Sequence, residues 1–209
     1  MKLYLATSNL HKIEELQSMV TEADLPVEVH TPLSVGGMPE VVEDQETFSG
    51  NALKKARALA ALLPEDGLAL ADDSGICVDA LDGAPGVFSA RYAGEGASDE
   101  ENLAKLLNEM DGVPEGNRGA RFVCVLAVVS PQGEERAFEG QIEGVILRER
   151  RGEGGFGYDP VFRPVGRKRT TAEMSRSEKA VISHRGIAMR RFLEWLCVQT
   201  GKVAERGET

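Results

Sequence analysis

The stretch "LALADDSGICVDALDGAPGVFSARY", residues 68–92, decides how the chain is read. It begins as an apolar strand, then places two adjacent carboxylates, Asp72 and Asp73, and the hydroxyl of Ser74 where more apolar residues are expected. Burying an unpaired carboxylate costs several kcal/mol, so the pair demands a cation, hydrogen-bond donors or a watery cleft at the strand end. Alternation along a strand sends neighbouring side chains to opposite faces, which gives the two aspartates different surroundings and different work. The plain structural reading is a strand that stops at Asp73, with Ser74 and Gly75 forming a turn. A magnesium site asks for little more: one or two carboxylates, with phosphate and water completing an all-oxygen shell. Glu43, in the acidic loop before Thr47, is the best-placed second carboxylate, and Asp72 is a further candidate.

The segments on either side alternate between strand and helix. "KLYLAT" reads as a strand, "SNL" as a turn, and "HKIEELQSMV" carries Ile13, Leu16 and Val20 at helical spacing. Residues 21–45 read as a strand and a loop. In "TFSGNALKKARALAALL", Ala52, Leu53, Ala56, Leu59, Ala60 and Leu63 line one helical face before Pro64 and Gly67 end it. After the turn chemistry of "DGAPG", Ser98 and Glu101 form a capping box that opens a helix with Leu103, Leu106, Leu107 and Met110 as its stripe. "RFVCVLAVVS", "PQGE" and "ERAFEGQIEGVIL" make a hairpin of two long strands, followed by the glycine-rich "GEGGFGYDPVF". Two helical pieces finish the pattern, one opened by a capping box from Ser175 to Glu178, the other with Ile187, Phe192, Leu193 and Leu196 buried. These alternations predict an α/β fold, drawn as one domain over residues 1–209, with no internal repeat and no low-complexity linker.

Composition excludes several classes. With 209 residues, 42% hydrophobic and 28% charged, the chain has an ordinary globular balance and is not a disordered protein. No apolar run approaches the roughly 20 residues needed to span a bilayer, and "KLYLATSN" lacks the pattern of an export signal, so a protein of the cytoplasm with no membrane partner is expected. Cys77, Cys124 and Cys197 are odd in number and scattered through apolar stretches, which suggests neither a disulfide framework nor a thiolate metal site. A formal charge of -10 opposes binding to a nucleic-acid polymer but leaves room for a compact basic pocket that takes a small polyanion.

Three further segments carry candidate chemistry. "LATSNLHK" places Thr7, Ser8, Asn9 and Lys12 where a strand hands over to a helix, a position whose free amides and dipole favour a phosphate; a simple helix cap explains the same residues. "GEGGFG", Gly152–Gly157, matches the dinucleotide-binding fingerprint only in letters, because it runs into Tyr158, Asp159 and Pro160 with no helix to receive a pyrophosphate. Its remaining interest is Phe156, an aromatic on a glycine-rich backbone that can stack on a base. "SEKAVISHRG" gathers Lys179, His184 and Arg185 near a helix start, where positive charge is unfavourable unless an anion arrives.

The motifs "TSNxxK", "ETFxxNAxxKA", "ADDSGxxVDALxGxPGVxSARY", "GGFGYDPxF" and "SHRG" occur in this chain in the order of the inosine triphosphate pyrophosphatase family, which it resembles over nearly its whole length. The resemblance implies an elongated, two-lobed α/β fold with a long mixed sheet flanked by helices and a central nucleotide cleft. It implies a homodimer and magnesium-dependent hydrolysis of deaminated purine triphosphates to monophosphate and pyrophosphate. By the same resemblance Thr7, Ser8, Asn9 and Lys12 hold the triphosphate, Glu43 and Asp73 hold magnesium with Asp72 in support, and Ser74 meets a substrate oxygen. Asp73 is the residue that orients or deprotonates the attacking water. Phe156, Gly157, Tyr158 and Asp159 line the nucleoside side together with Lys179, His184 and Arg185. Ser8 departs from the glycine found in many members. The alternatives are the Maf-like nucleotide pyrophosphatases, whose S-x-S-P-R pattern is missing here, and a non-catalytic nucleotide-binding protein, which would gain little from acids beside a polyphosphate.

Overall fold

The computed structural model describes residues 1–7 and 10–201, the side chains of Leu10, His11, Lys12 and Glu15 excepted. The strands are β1 (Lys2–Leu5), β2 (Glu28–His30), β3 (Gly67–Val78), β4 (Gly119–Val129), β5 (Glu135–Ile146) and β6 (Phe162–Pro164). The helices are α1 (Leu10–Glu22), α2 (Phe48–Ala60), α3 (Asp99–Glu109), α4 (Arg176–Ile182) and α5 (His184–Gln199). The six strands form one mixed sheet in the order β2-β1-β3-β4-β5-β6, so the α/β expectation holds. β1 runs parallel to both β2 and β3, each connection passing through a helix, as parallel pairing requires. β4 and β5 are joined by a tight turn in which the Ser130 N–H donates to the Glu134 carbonyl at 2.9 Å, and β6 pairs antiparallel with β5.

The chain forms two compact units. The first comprises Met1–Asp73, Val125–Phe138 and the chain from Ala188 on; the second comprises Ser74–Cys124 and Glu139–Ile187. In the first, Leu3, Leu16, Ala52, Ala56, Leu59, Ala127, Phe192 and Leu196 are fully buried. In the second, Ile76, Val78, Leu103, Leu106, Met110, Phe122, Ile146, Tyr158 and Phe162 make the core, with Phe122 set edge-on to Phe162 at 4.6 Å between centroids. Arg118 is buried in this second core. Its guanidinium donates to the carbonyls of Met110 and Ile146 at 2.7 Å each and of Leu147 at 3.2 Å, tying the end of α3 to the end of β5.

Both capping boxes predicted from sequence form, Ser98 with Glu101 on α3 and Ser175 with Glu178 on α4. On α5 the buried large or apolar side chains beyond its first turn are Ala188, Met189, Phe192 and Leu196, whereas Ile187 and Leu193 are only partly covered. The larger correction concerns β3. The strand does not stop at Asp73; it runs on through Asp73, Ser74 and Gly75 to Val78, and the turn comes later, at Asp82 and Gly83, both in the left-handed region. A strand can carry a carboxylate through its buried stretch when the charge is compensated, and α2 provides that compensation.

Candidate active site

Asp73 is 8% exposed, and two side chains one helical turn apart on α2 reach it. Lys55 Nζ donates to Asp73 Oδ1 at 3.0 Å, and Asn51 Nδ2 donates to Oδ2 at 3.4 Å. The same ammonium donates to Glu43 Oε1 at 3.1 Å, so the two carboxylates named from sequence converge on one cation. The loop that bears Glu43 is held to α2 in two further ways. Asn51 Oδ1 accepts from the Gln45 N–H at 3.0 Å, and Thr47 caps the helix by accepting from the Gly50 N–H at 3.0 Å. Gly50 is required there, because a Cβ would lie 2.8 Å from the Gln45 Cβ.

The electrostatics follow from this packing. Burial lowers the Lys55 pKa, but attraction to Asp73 and Glu43 and the hydrogen bond to Asp73 outweigh it, and the net shift is upward, so the ammonium stays charged. Burial raises Asp73, Lys55 offsets only part of that, and the Glu43 charge adds to the rise. A carboxylate so placed is a better base than a solvated one. Lys55 shows where a cation sits among these oxygens, and two convergent carboxylates are the protein share that magnesium takes when phosphates and water complete its shell. Among the described residues no group of three His, Cys, Asp or Glu side chains is arranged to hold a metal, and Asp72 is half-buried.

In the second unit the glycine-rich segment is organised from within. Asp159 is 2% exposed. Its Oδ2 accepts from the Phe156 N–H at 2.9 Å and from Lys179 Nζ, and its Oδ1 accepts from Thr171 Oγ1 at 2.8 Å. Gly155 makes this closure possible, since it has φ +75° and a Cβ there would meet Asp159 Oδ2 at 2.1 Å. Asp99 accepts from the Gly157 N–H at 2.8 Å, and the Gly154 N–H donates to the Ala172 carbonyl at 3.1 Å. Tyr158 is buried, its hydroxyl donating to the Ser89 carbonyl at 2.8 Å, and burial pushes its pKa up. Phe156 is left 62% exposed, with Lys179 Nζ 4.9 Å from its ring centroid.

The residues expected to line the nucleoside side therefore divide. The side chains of Tyr158 and Asp159 hold the loop together from inside, while Phe156 is the one that faces outward. Lys179 belongs to α4 and His184 and Arg185 to α5, where the His184 ring is buried and stacked on Phe122 at 4.8 Å. Ser183, passed over in the sequence, caps α5 by accepting from the Gly186 N–H at 3.1 Å. Ser74 Oγ is buried and has no hydrogen-bond partner among the described residues. Thr7 is half-buried just beyond β1; Ser8, Asn9 and the Lys12 side chain lie outside the described residues. Lys55 and Asn51 are the participants that sequence reasoning missed.

Comparison with known proteins agrees in extent with the motifs. Residues 3–195 match the model of the Ham1 family. A dITP/XTP pyrophosphatase of Opitutus terrae is 51% identical over 199 residues, covering 93% of this chain and 98% of the relative; one of Desulforamulus reducens is also 51% identical, covering 94% and 96%. Among solved structures, a HAM1 protein from Coxiella burnetii superposes with a TM-score of 0.87 at 38% identity, covering 96% of this chain and 99% of its own. The Staphylococcus aureus Ham1 protein does so with a TM-score of 0.87 at 36% identity, covering 95% and 100%. A family match over residues 3–195, with relatives 51% identical across almost the whole chain, leaves one assignment: the chain belongs to the Ham1 family.

Proposed function

We propose that this protein is a nucleoside triphosphate pyrophosphatase that hydrolyses deaminated purine nucleotides, ITP, dITP and XTP, to the monophosphate and pyrophosphate with magnesium as cofactor. The observation that carries the reading is the convergence of Glu43 and Asp73 on one cation position. Magnesium, when held by these two carboxylates, supplies charge neutralisation for the phosphates and a polarised anhydride. Asp73 orients the attacking water and takes its proton; the water oxygen bonds to phosphorus as the anhydride between the α- and β-phosphates breaks, and pyrophosphate leaves. Lys55 and Lys12 neutralise phosphate charge, Thr7, Ser8 and Asn9 position the phosphates, and the unpaired Ser74 hydroxyl meets a substrate oxygen.

The second unit reads the base. Phe156 stacks on the purine, and His184 and Arg185 donate to the keto oxygen at position 6 of hypoxanthine or xanthine. Adenine presents an amino donor there, and leaving desolvated donors unpaired costs roughly 1–3 kcal/mol each. Gly157, Tyr158 and Asp159 contribute through their main chain and by fixing the loop. The working form is a homodimer in the cytoplasm. Among the described residues no helix is long and apolar enough to cross a membrane, and all three cysteines are free, which suits a reducing compartment.

The test is incubation with ITP and magnesium while pyrophosphate release is followed, beside ATP as the poor substrate. Release of pyrophosphate from ITP, dITP and XTP well above ATP supports the reading. Binding of ITP without turnover would instead indicate a nucleotide sensor.

A further inference from the structure

We propose that Lys55 is the resident counter-cation of the Glu43–Asp73 pair and that a divalent ion must displace its ammonium to reach these carboxylates. The inference rests on the metal assignment made above. The ammonium sits 3.1 Å from Glu43 Oε1 and 3.0 Å from Asp73 Oδ1, and the side chains are only 13%, 32% and 9% exposed for Lys55, Glu43 and Asp73. A divalent ion bound to the same oxygens would face a positive charge a few ångströms away in a site with little water to screen it.

The geometry also shows how displacement can proceed without loss of the site. Asn51 is fully buried and bonds from α2 to the other oxygen of Asp73, so that carboxylate keeps its place on β3 when the ammonium leaves. Lys55 has four flexible methylenes and can swing from a fixed helix position. Once displaced it needs a new anion, which a polyphosphate supplies. Divalent ion and polyanion thus reinforce each other's binding, whereas the ion alone binds weakly because it competes with Lys55.

The experiment measures Mn2+ binding to the nucleotide-free protein from the electron paramagnetic resonance signal of the free aquo ion, at one pH and ionic strength. Lys55→Met and Lys55→Gln should each bind Mn2+ about tenfold or more tightly than the parent protein, and Lys55→Arg, which keeps the charge, should bind as weakly as the parent. Melting curves identify any variant that does not fold, and Lys55→Gln, which retains a donor toward Asp73, decides the matter if Lys55→Met is lost. Equal or weaker binding by the neutral variants overturns the counter-cation role and leaves the metal assignment standing. Absence of Mn2+ binding in every form overturns both.

Discussion

Removing the charge of Asp159 tests whether the glycine-rich loop is held from within. In Asp159→Asn the shape is kept, and the amide has one defined way to sit. Its oxygen stays toward the Phe156 N–H and Lys179, while its NH2 turns to Thr171, whose hydroxyl can accept. Geometry survives and the charge does not, so the loss is that of a buried ammonium deprived of its counter-ion. Breaking one partner of a buried pair costs about 3–5 kcal/mol; Lys179 is 19% exposed and regains some water, which places the loss at about 2–3 kcal/mol. For a chain of this length that is a fall in melting temperature of about 5–10 °C by calorimetry. Lys179→Met leaves the carboxylate, 3% exposed, without its cation and should cost about 3 kcal/mol. The double variant removes both charges, so it should lose about 2 kcal/mol less than the sum of the two single losses. Additivity to within about 0.5 kcal/mol would refute the pairing and with it the account of the loop.

Asp73→Asn should lower kcat by about two orders of magnitude or more with an unchanged fold, and Glu43→Gln should mainly raise the magnesium concentration needed for half-maximal rate; near-normal turnover of Asp73→Asn at low magnesium removes Asp73 from the mechanism. Arg185→Ala should narrow the ratio of kcat/KM for ITP over ATP, while Phe156→Ala weakens both substrates alike, since stacking does not choose between purines. Glu178, which caps α4, has its pKa pulled from 4.5 to about 2 by the Arg169 guanidinium first and then by the backbone N–H and hydroxyl of Ser175. A depressed carboxylate contributes stability above its unfolded value and loses it as pH falls through the folded one, so amide protection of α4 should drop between about pH 4.5 and 2. Glu178→Gln should not show that step in hydrogen exchange.

The parts of the fold that could be read in advance are those whose causes are local. The capping boxes at Ser98 and Ser175 close within four residues, the "PQGE" turn brings β4 and β5 together over a few more, and the stripe of α2 repeats inside one helix. The parts that could not be read have partners far along the chain. The phenol of Tyr158 is satisfied by Ser89, 69 residues away, and the carboxylate of Asp159 by Thr171 and Lys179, 12 and 20 residues on. Nothing near Tyr158 or Asp159 in sequence says that their side chains turn inward, so a motif that contains them reads as a row of ligand contacts. Burial separates the members: Phe156 faces out, and the two residues that follow Gly157 support it.

The same logic explains both the misplaced end of β3 and the missed lysine, which are one error. An apolar strand followed by Asp72 and Asp73 looks finished only if no cation is available to the buried carboxylate. The cation was visible on α2, though not by composition. Ala52, Lys55, Ala56 and Leu59 stand at the spacing i, i+3, i+4, i+7, so Lys55 occupies a position in the stripe that turns toward the core, with Asn51 one turn before it. A lysine at such a position has to find an acid, because an ammonium is not buried alone. The acids that it meets are Glu43 of the acidic loop and Asp73 of the strand beyond Leu70. Read this way, Lys55 on the apolar face and Asp73 in the apolar strand are two halves of one statement. Each is unfavourable by itself, and together they allow β3 to run on to Val78 with a charged pair in its buried stretch and Glu43 beside it.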